Sequence, residues 1–518
     1  MATVTRLPNE LLIEIFMNVK LGRRGLQWVA EITHICRHWR EVALCVPKLW
    51  TSFQGCRRGR AHRTALRLFL ERSRHALVHI DTGDAVDDSI PTYVLSRMEH
   101  SRRIRSLFLD FLDPATVKRF TFPLENLETL QVRGCSQLRT DSESIAFSPV
   151  DNQFPRLRNL CLIDVAVPWY SSIFTNLVDI RLFDMRRRGY WTFRGFIDIL
   201  DRCGTTMENL TMSMSAPALA PNLLFEDMPP PPRIVSLPRI QTLHIWDYSP
   251  YIKHLLGPLA IPSTAMIYIT SIPRLSFVPL PRPSLPDHQH NIAILTEADT
   301  LSISIEDKTL RLAAGMTRSP HGGLLLDTKD TIEQGDILEN PMHIVKLMPY
   351  FFGTSIRRLN LTGRMDWMPR IGWACTFSGL PSLWRLDVSS EWSLLPLLEA
   401  LNARPACVCQ TAVNLPHLKE LRVKTATMNQ TISTECFAAL FSRAAAGFRL
   451  ETLELKVFYR GVPGCRYLTD EVRAMFATFC VSKKVDIAEE APDEDYATSL
   501  SVPEVPEPPE AYGAVGLA

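Results

Sequence analysis

The apolar positions of this chain follow a helical spacing near the start and a strand-like one afterwards. Between residues 6 and 20, Leu11, Leu12, Ile15, Phe16 and Val19 stand at i, i+1, i+4, i+5 and i+8, one broad stripe of a short helix. Pro8 suits its first turn, where the missing N–H would be unpaired in any case. Gly22 and Gly25 break the pattern, and a second helix is predicted over residues 28–44 with Val29, Ile32, Cys36, Trp39 and Ala43 on one side. Pro47 stops it, and Leu49, Trp50 and Phe53 follow. A unit of about 50 residues is too small to bury all of Phe16, Trp28, Trp39, Trp50 and Phe53 by itself. Leftover apolar surface of this kind marks a partner site.

From about residue 75 to 460 a different frame recurs, apolar-x-x-apolar-x-apolar. It occurs at Ile104/Leu107/Leu109, Leu127/Leu130/Val132, Leu157/Leu160/Leu162, Leu177/Ile180/Leu182 and Met207/Leu210/Met212. It returns at Ile240/Leu243/Ile245, Ile356/Leu359/Leu361, Leu383/Leu386/Val388, Leu418/Leu421/Val423 and Leu450/Leu453/Leu455. Four copies share a lead-in two residues earlier: Phe154-Pro155, Leu237-Pro238, Leu380-Pro381 and Leu415-Pro416. Weaker copies at Val78–Ile80, Ile267–Ile269, Leu301–Ile303 and Leu324–Leu326 fill the gaps, so units follow one another at roughly 20 to 35 residues. That period predicts strand-plus-connection units stacked into a solenoid, each Leu or Ile contributing roughly 1.5–3 kcal/mol on burial. Residues between the inward positions point the other way. They are Phe108, Gln131, Cys161, Arg181, Thr211, His244, Asn360, Asp387, Arg422 and Glu454, and of these Arg181, His244, Asn360, Asp387, Arg422 and Glu454 are the candidates to face a substrate.

Composition narrows the picture. With 46% hydrophobic and 22% charged residues, the 518-residue chain carries enough apolar surface for a large core. No run of about 20 apolar residues suggests a membrane span, and the first residues lack the pattern of a secretory leader. The 12 cysteines then read as free thiols of a reducing compartment, with Cys36, Cys45 and Cys161 as buried core thiols. Cys407-x-Cys409 lacks a second ligand pair for zinc. Pro-rich stretches near 217–233 and 273–290 read as inserted loops.

The net charge of +2 conceals a division: residues 1–484 carry +11, and the nine acids from Asp486 to Glu510 meet no Lys or Arg. Residues 485–518 read as an acidic, Pro-rich disordered tail. Charges pair poorly beyond a screening length of about 8 Å, so the tail reads as a solubilising segment rather than one folded back on the basic body. Arg57, Arg58, Arg60, Arg63, Arg67, Arg72 and Arg74 crowd residues 56–75, joined by Arg102, Arg103, Arg105 and Arg186-Arg187-Arg188. Leu66, Phe69 and Leu70 run through the first cluster at helical spacing, so a solvated helix face is the preferred reading over phosphate binding. There is no phosphate loop, nucleophile elbow or His-Glu-x-x-His. No catalytic residue, metal site or cofactor is indicated, and His34 and His38 read as solvent-facing.

The ordered set Leu7-Pro8-x-Glu10-Leu11-Leu12-x-x-Ile15-Phe16, Ile35-Cys36-Arg37-x-Trp39-Arg40-x-x-Ala43 and Pro47-x-Leu49-Trp50 resembles an F-box, closest to the F-box-like proteins numerous in fungi. Leu68-x-Leu70-Glu71-Arg72-Ser73 with Leu77 and Ile80 is similar to the helix and strand that often follow there. The later frame resembles an irregular leucine-rich repeat, in which each strand lines a curved parallel sheet; only Cys135 matches the usual Asn or Cys after the strand. The resemblance implies an α/β chain: an F-box-like module over 1–53, a basic helix and first strand over 54–100, and a repeat solenoid over 101–484. It implies the substrate-recognition subunit of an SCF-type ubiquitin ligase, cytoplasmic or nuclear. The chain would dock on a Skp1-like adaptor and through it a cullin by Leu7, Pro8, Leu11, Ile15 and Phe16, with Cys36, Trp39, Leu49 and Trp50 either supporting that contact or forming the internal core of the module. The alternative is an interaction scaffold with the same surfaces and no ligase role.

Overall fold

The computed structural model describes residues 7–22, 26–54, 61–82, 98–112, 123–134, 147–165, 167–185, 192–214, 233–272, 285–286, 291–306, 309–329, 342–351, 355–402, 414–426, 430–458, 474–476, 478, 480 and 485–490. Outside them lie Arg57, Arg58, Arg60, Arg186 to Arg188, Cys135, Cys407, Cys409, most of both Pro-rich stretches and residues 491–518. The chain is mixed α/β and divides into two compact units, residues 1–228 and 229–518.

The first unit opens with three helices, α1 (Asn9–Gly22), α2 (Leu26–Ile35) and α3 (Arg37–Cys45), and a single 3-10 turn at Pro47–Trp50. The second predicted helix is two. Cys36 adopts an extended backbone (φ −156°, ψ 170°) and its Sγ accepts a hydrogen bond from the Trp39 N–H at 3.4 Å, capping α3 and ending α2. Phe16 meets Trp39 edge-on at 5.0 Å, and the Trp50 indole donates to the Ala43 carbonyl at 2.9 Å. Helix α4 (Ala61–Arg72) shares this core: Phe69 packs against Trp50 at 5.0 Å and Phe53 at 5.7 Å. The module therefore does not end at residue 53, because its last aromatics are covered from the following helix.

Seven parallel strands follow one another in this unit: β1 (Ser52–Gln54), β2 (Val78–Asp81), β3 (Ile104–Leu112), β4 (Thr129–Gly134), β5 (Asn159–Ile163), β6 (Asp179–Phe183) and β7 (Asn209–Ser213), each paired with the next. Every position of the ten clear frames is buried in the two units. Asp164, Asp184 and Met214, each just past its strand, take φ of 54°, 52° and 48°. Asp164 N–H donates to the Phe183 carbonyl and Asp184 N–H to that of Ser213, so the turn out of one strand is tied to the next. Helix α5 (Phe193–Cys203) is strongly amphipathic, burying Phe196, Ile197, Ile199, Leu200 and Cys203, and starts on a Thr192 cap.

The second unit contains β8 (Val235–Ser236) paired with β10 (Leu259–Ala260), and a larger sheet. Its strands are β9 (Thr242–Tyr248), β11 (Met266–Ile272), β12 (Thr300–Ile305), β13 (Thr309–Met316), β14 (Ser319–Lys329), β15 (Arg358–Gly363), β16 (Arg385–Ser390), β17 (Glu420–Thr425), β18 (Thr452–Phe458) and β19 (Val485–Glu490). In space the order is β9, β11, β14, β13, β12, β15, β16, β17, β18, β19. The weak copies at Leu301–Ile303 and Leu324–Leu326 are strands, but not successive parallel units. They are the outer strands of an antiparallel meander through β13. The connections at 306–308 and 317–318 are too short for a parallel crossover and permit only a hairpin return. The sheet is thus mostly, not wholly, parallel. The strand β19 also takes in residues 485–490, which composition assigns to the tail; its pairing is through backbone, to which side-chain charge is no bar.

Helices α6 (Ser249–Leu256), α7 (Met342–Leu347), α8 (Arg370–Ser378), α9 (Leu395–Leu401) and α10 (Gln430–Ala445) serve as connections, with α8, α9 and α10 packed in that order. The Pro-containing lead-ins have a plain cause. In each, the first frame residue donates its N–H to the carbonyl three residues back: Leu157 to Phe154, Ile240 to Leu237, Leu383 to Leu380 and Leu418 to Leu415, all at 3.1–3.2 Å. Proline sits second in each such turn, where its fixed φ is favoured. Neighbouring repeats are also stitched by arginines that reach one period back. Arg103 donates to the Leu70 and Ala76 carbonyls and to Ser73 Oγ; Arg202 to the carbonyls of Trp169, Tyr170 and Ser171; Arg443 to those of Asn414 and Leu415. Arg103 is thus half-buried and engaged with the preceding segment.

Candidate binding surfaces

On α1 the broad stripe splits in two. Leu12 and Phe16 turn into the module, whereas Leu11 and Ile15 remain 47% and 39% exposed. Four residues apart, they lie one above the other on a helix flank. Pro8 is exposed, and Leu7 half-buried. Cys36 and Trp39 are half-buried, while Leu49 and Trp50 are interior. Phe16, expected to touch a partner, is instead interior, and Leu49 and Trp50 take the core alternative left open for them. Ile35, 58% exposed at the end of α2, was missed. It lies about 120° around the helix from Val29, and that phase was the available signal.

Two arginines of the adjoining basic segment, and Arg105 beyond it, are engaged locally. Arg67 pairs with Glu71 at 2.7 Å, Arg72 lies 4.3 Å over the Trp50 ring, and Arg105 holds Glu128 at 2.8 Å. Leu66, Phe69 and Leu70 are buried beneath them. The thiols also depart from expectation. Cys36 and Cys161 are half-buried and Cys45 is exposed, whereas the buried thiols among the described residues are Cys203 and Cys436. At the helix ends of so small a module, neither Cys36 nor Cys45 is fully covered.

The outward face of the first unit presents Phe108, Gln131, Cys161, Arg181 and Thr211 in one transverse row. Arg181 is exposed but engaged, donating from Nε and Nη2 to the two carboxylate oxygens of Asp179 at 3.0 and 2.9 Å. That hydrogen bond raises its pKa against the opposing effect of burial. Burial pushes the Cys161 thiol up to about 12, so it carries no thiolate at neutral pH.

The face of the second unit's sheet is more elaborate. One row runs His244, Tyr268, Leu325, Ala313, Ser302, Asn360, Asp387, Arg422, Glu454, Asp486 across ten strands. Its two ends differ. His244 is only 6% exposed, with its ring 5.7 Å from that of Tyr268 and Nε2 without a hydrogen-bond partner. Burial holds its pKa down at about 4, so it is neutral at pH 7, and its low exposure leaves a partner little of it to meet. The neighbouring Tyr268 ring helps to cover it, which position in the frame does not reveal. Asn360 donates to Ser302 Oγ at 3.0 Å.

From β16 to β18 the face is a lattice of charges. Arg385 bonds Asp387 at 2.7 Å and reaches Glu420 at 3.6 Å; Arg422 lies 3.3 Å from Glu454, 3.8 Å from Asp387 and 3.9 Å from Glu420. Burial works against the charge of Arg385, but its hydrogen bond to Asp387 and the fields of Asp387, Glu420 and Glu454 outweigh it and raise its pKa. Arg385, Glu420, Lys424 and Lys456 were missed because only the middle residue of each frame was taken, although the period of two carries the outward face to the positions on either side.

Among the described residues no group of three or more His, Cys, Asp or Glu side chains is placed to hold a metal, and no helix is long and apolar enough to cross a membrane. An apolar cavity of about 10 Å³ between α9, α10 and the sheet, lined by Leu398, Leu401, Leu421, Leu440 and Arg443, is smaller than any organic ligand. No protein-family model matches this chain, and no curated protein matches it.

Proposed function

We propose that this chain is the substrate-recognition subunit of an SCF-type ubiquitin ligase, in the cytoplasm, the nucleus or both. Its N-terminal module docks as an F-box on a Skp1-like adaptor, which brings the cullin. The strand ladders act as a leucine-rich-repeat-like solenoid whose outward face holds a protein substrate. The chain performs no bond chemistry. It raises the local concentration of substrate beside the ubiquitin thioester and removes an orientational cost from the transfer.

The observation that carries this reading is the pair Leu11 and Ile15, apolar and exposed on a helix whose opposite flank is held by Phe16 and Trp39. Exposed aliphatic residues on a well-anchored helix suit a partner interface and serve no purpose in an isolated module. The lattice on β16 to β18 supports the second half of the reading: its charges pair with one another, so a substrate must offer complementary charges in a matching geometry, which favours selectivity over affinity.

The test is co-purification of the full chain with a Skp1-like protein and a cullin. Leu11→Asp with Ile15→Asp is expected to abolish both interactions while the thermal unfolding midpoint stays within a few degrees. Leu7→Ala with Pro8→Ala should weaken the adaptor contact less. Retained binding by the folded aspartate variant sinks the proposed interface. Adaptor binding without cullin recruitment turns the reading toward a scaffold.

A further inference from the structure

Beyond the paired lattice, the next outward row toward the C-terminal ends of the strands runs Thr362, Ser389, Lys424, Lys456, Ala488. Lys424 and Lys456 stand opposite each other on adjacent strands, and no carboxylate lies in the row between Thr362 and Ala488. Like charges placed directly across a ladder repel. Lys456 gains Glu454 at 3.8 Å on its own strand, whereas Lys424 has no ion pair among the described residues. Past this row, at the same rim, Trp392 is 45% exposed with the Arg364 guanidinium 4.4 Å over its ring. Arg364 also lies 3.5 Å from Asp366, and an exposed Trp–Arg pair at the same rim as two lysines fits an acidic segment that carries an aromatic residue.

Such a segment leaves from the same rim. The strands β15 to β19 are parallel, so they end on one side, and β19 ends at Glu490 opposite Phe458, two residues past Lys456. Pro492 cannot continue the ladder. Next come Asp493-Glu494-Asp495-Tyr496, with Glu504, Glu507 and Glu510 beyond and no Lys or Arg. Two strand spacings, about 10 Å, separate β19 from β17, and three, about 14 Å, from β16. Five or six residues of chain span up to about 20 Å. The acids therefore reach the lysines over a distance near the screening length, and Tyr496 reaches Trp392.

We propose that residues 493–496 dock in cis on Lys424, Lys456 and Trp392, so that the chain's own acidic segment occupies one end of the outward face. A short tether gives an effective concentration on the order of millimolar, enough to hold a contact that is weak in trans. This replaces the purely solubilising reading of the tail. The contact does not rest on the proposed function.

The experiment compares the full chain with a chain ending at Glu490, using a fluorescein-labelled peptide of residues 491–500 and fluorescence anisotropy. The shortened chain should bind the peptide, and the full chain about tenfold more weakly, because the site is already filled. Lys424→Ala with Lys456→Ala in the shortened chain should weaken binding at least about fivefold, with circular dichroism unchanged. In the full chain, Asp493→Lys, Glu494→Lys and Asp495→Lys leave the sheet untouched and should restore peptide binding to the level of the shortened chain. Equal binding by full and shortened chains, or none by the shortened chain, overturns the proposal. Neither outcome involves the adaptor, so failure here and failure of the ligase reading are separately visible.

Discussion

Replacing His244 by Phe should change how the second unit responds to acid. In the folded protein burial holds the imidazole at about 4, against an ordinary 6.5. The unfolded chain therefore binds a proton between those values that the native state does not. By linkage, stability contributed at this site is intact above about 6.5 and lost progressively as pH falls toward 4. A displacement of this size corresponds to roughly 3 kcal/mol in full, most of which is already lost at pH 4.5. Phe keeps a ring against Tyr268 and removes the unpartnered Nε2, so at pH 7 the variant should be as stable as the parent or up to about 1 kcal/mol more so. The assay is urea unfolding of the full chain at pH 7.0 and 4.5, followed by tryptophan fluorescence. His254, whose pKa burial also lowers, is present in both proteins and cancels in the difference. The expected gap between variant and parent widens by about 2–3 kcal/mol on acidification. Parallel pH dependences would refute the reasoning and mean that His244 titrates in contact with water.

Other perturbations separate interior from interface. Phe16→Ala, at a fully buried position, should cost about 3–5 kcal/mol and disrupt partner binding only through loss of the fold, unlike the Leu11 and Ile15 variants, as thermal melts will reveal. Arg443 is 2% exposed, and burial pushes its pKa down to about 10. Arg443→Ala leaves the Asn414 and Leu415 carbonyls unpaired and empties a packed space, an expected loss of about 3–4 kcal/mol; Arg443→Met, which keeps the stem and removes a poorly solvated charge, should lose about 1–2 kcal/mol by urea titration. Gly363 takes φ +92°, and a Cβ there would stand 1.9 Å from the Ile305 carbonyl oxygen. Gly363→Ala should cost at least about 2 kcal/mol, read as a lowered thermal midpoint.

Much of the architecture was legible because burial leaves a periodic record. A strand stacked against identical neighbours must place apolar residues at fixed intervals, so Leu130, Leu160, Ile180 and Leu210 align in register as their spacing implied. The meander was not legible, since β12, β13 and β14 carry similar alternation whether their neighbours run parallel or antiparallel. The break at Cys36 was hidden for a related reason: apolar phase continues across it, while the cap is made by a side chain seldom used for that purpose.

Sequence alone thus determined the two periodicities, the apolar inventory of the N-terminal module and the division between a basic body and an acidic end. These depend on composition and on local geometry, which spacing records directly. The tertiary structure decided which members of one apolar stripe face inward, so that Phe16 is core and Ile15 is surface. It also decided which outward residues are engaged within the sheet. His244 lies covered, Arg181 and Arg422 are tied to carboxylates, and Lys424 has no ion pair among the described residues. Those outcomes depend on which strand lies next to which, at distances of a few ångströms between residues tens of positions apart, and no local pattern encodes that.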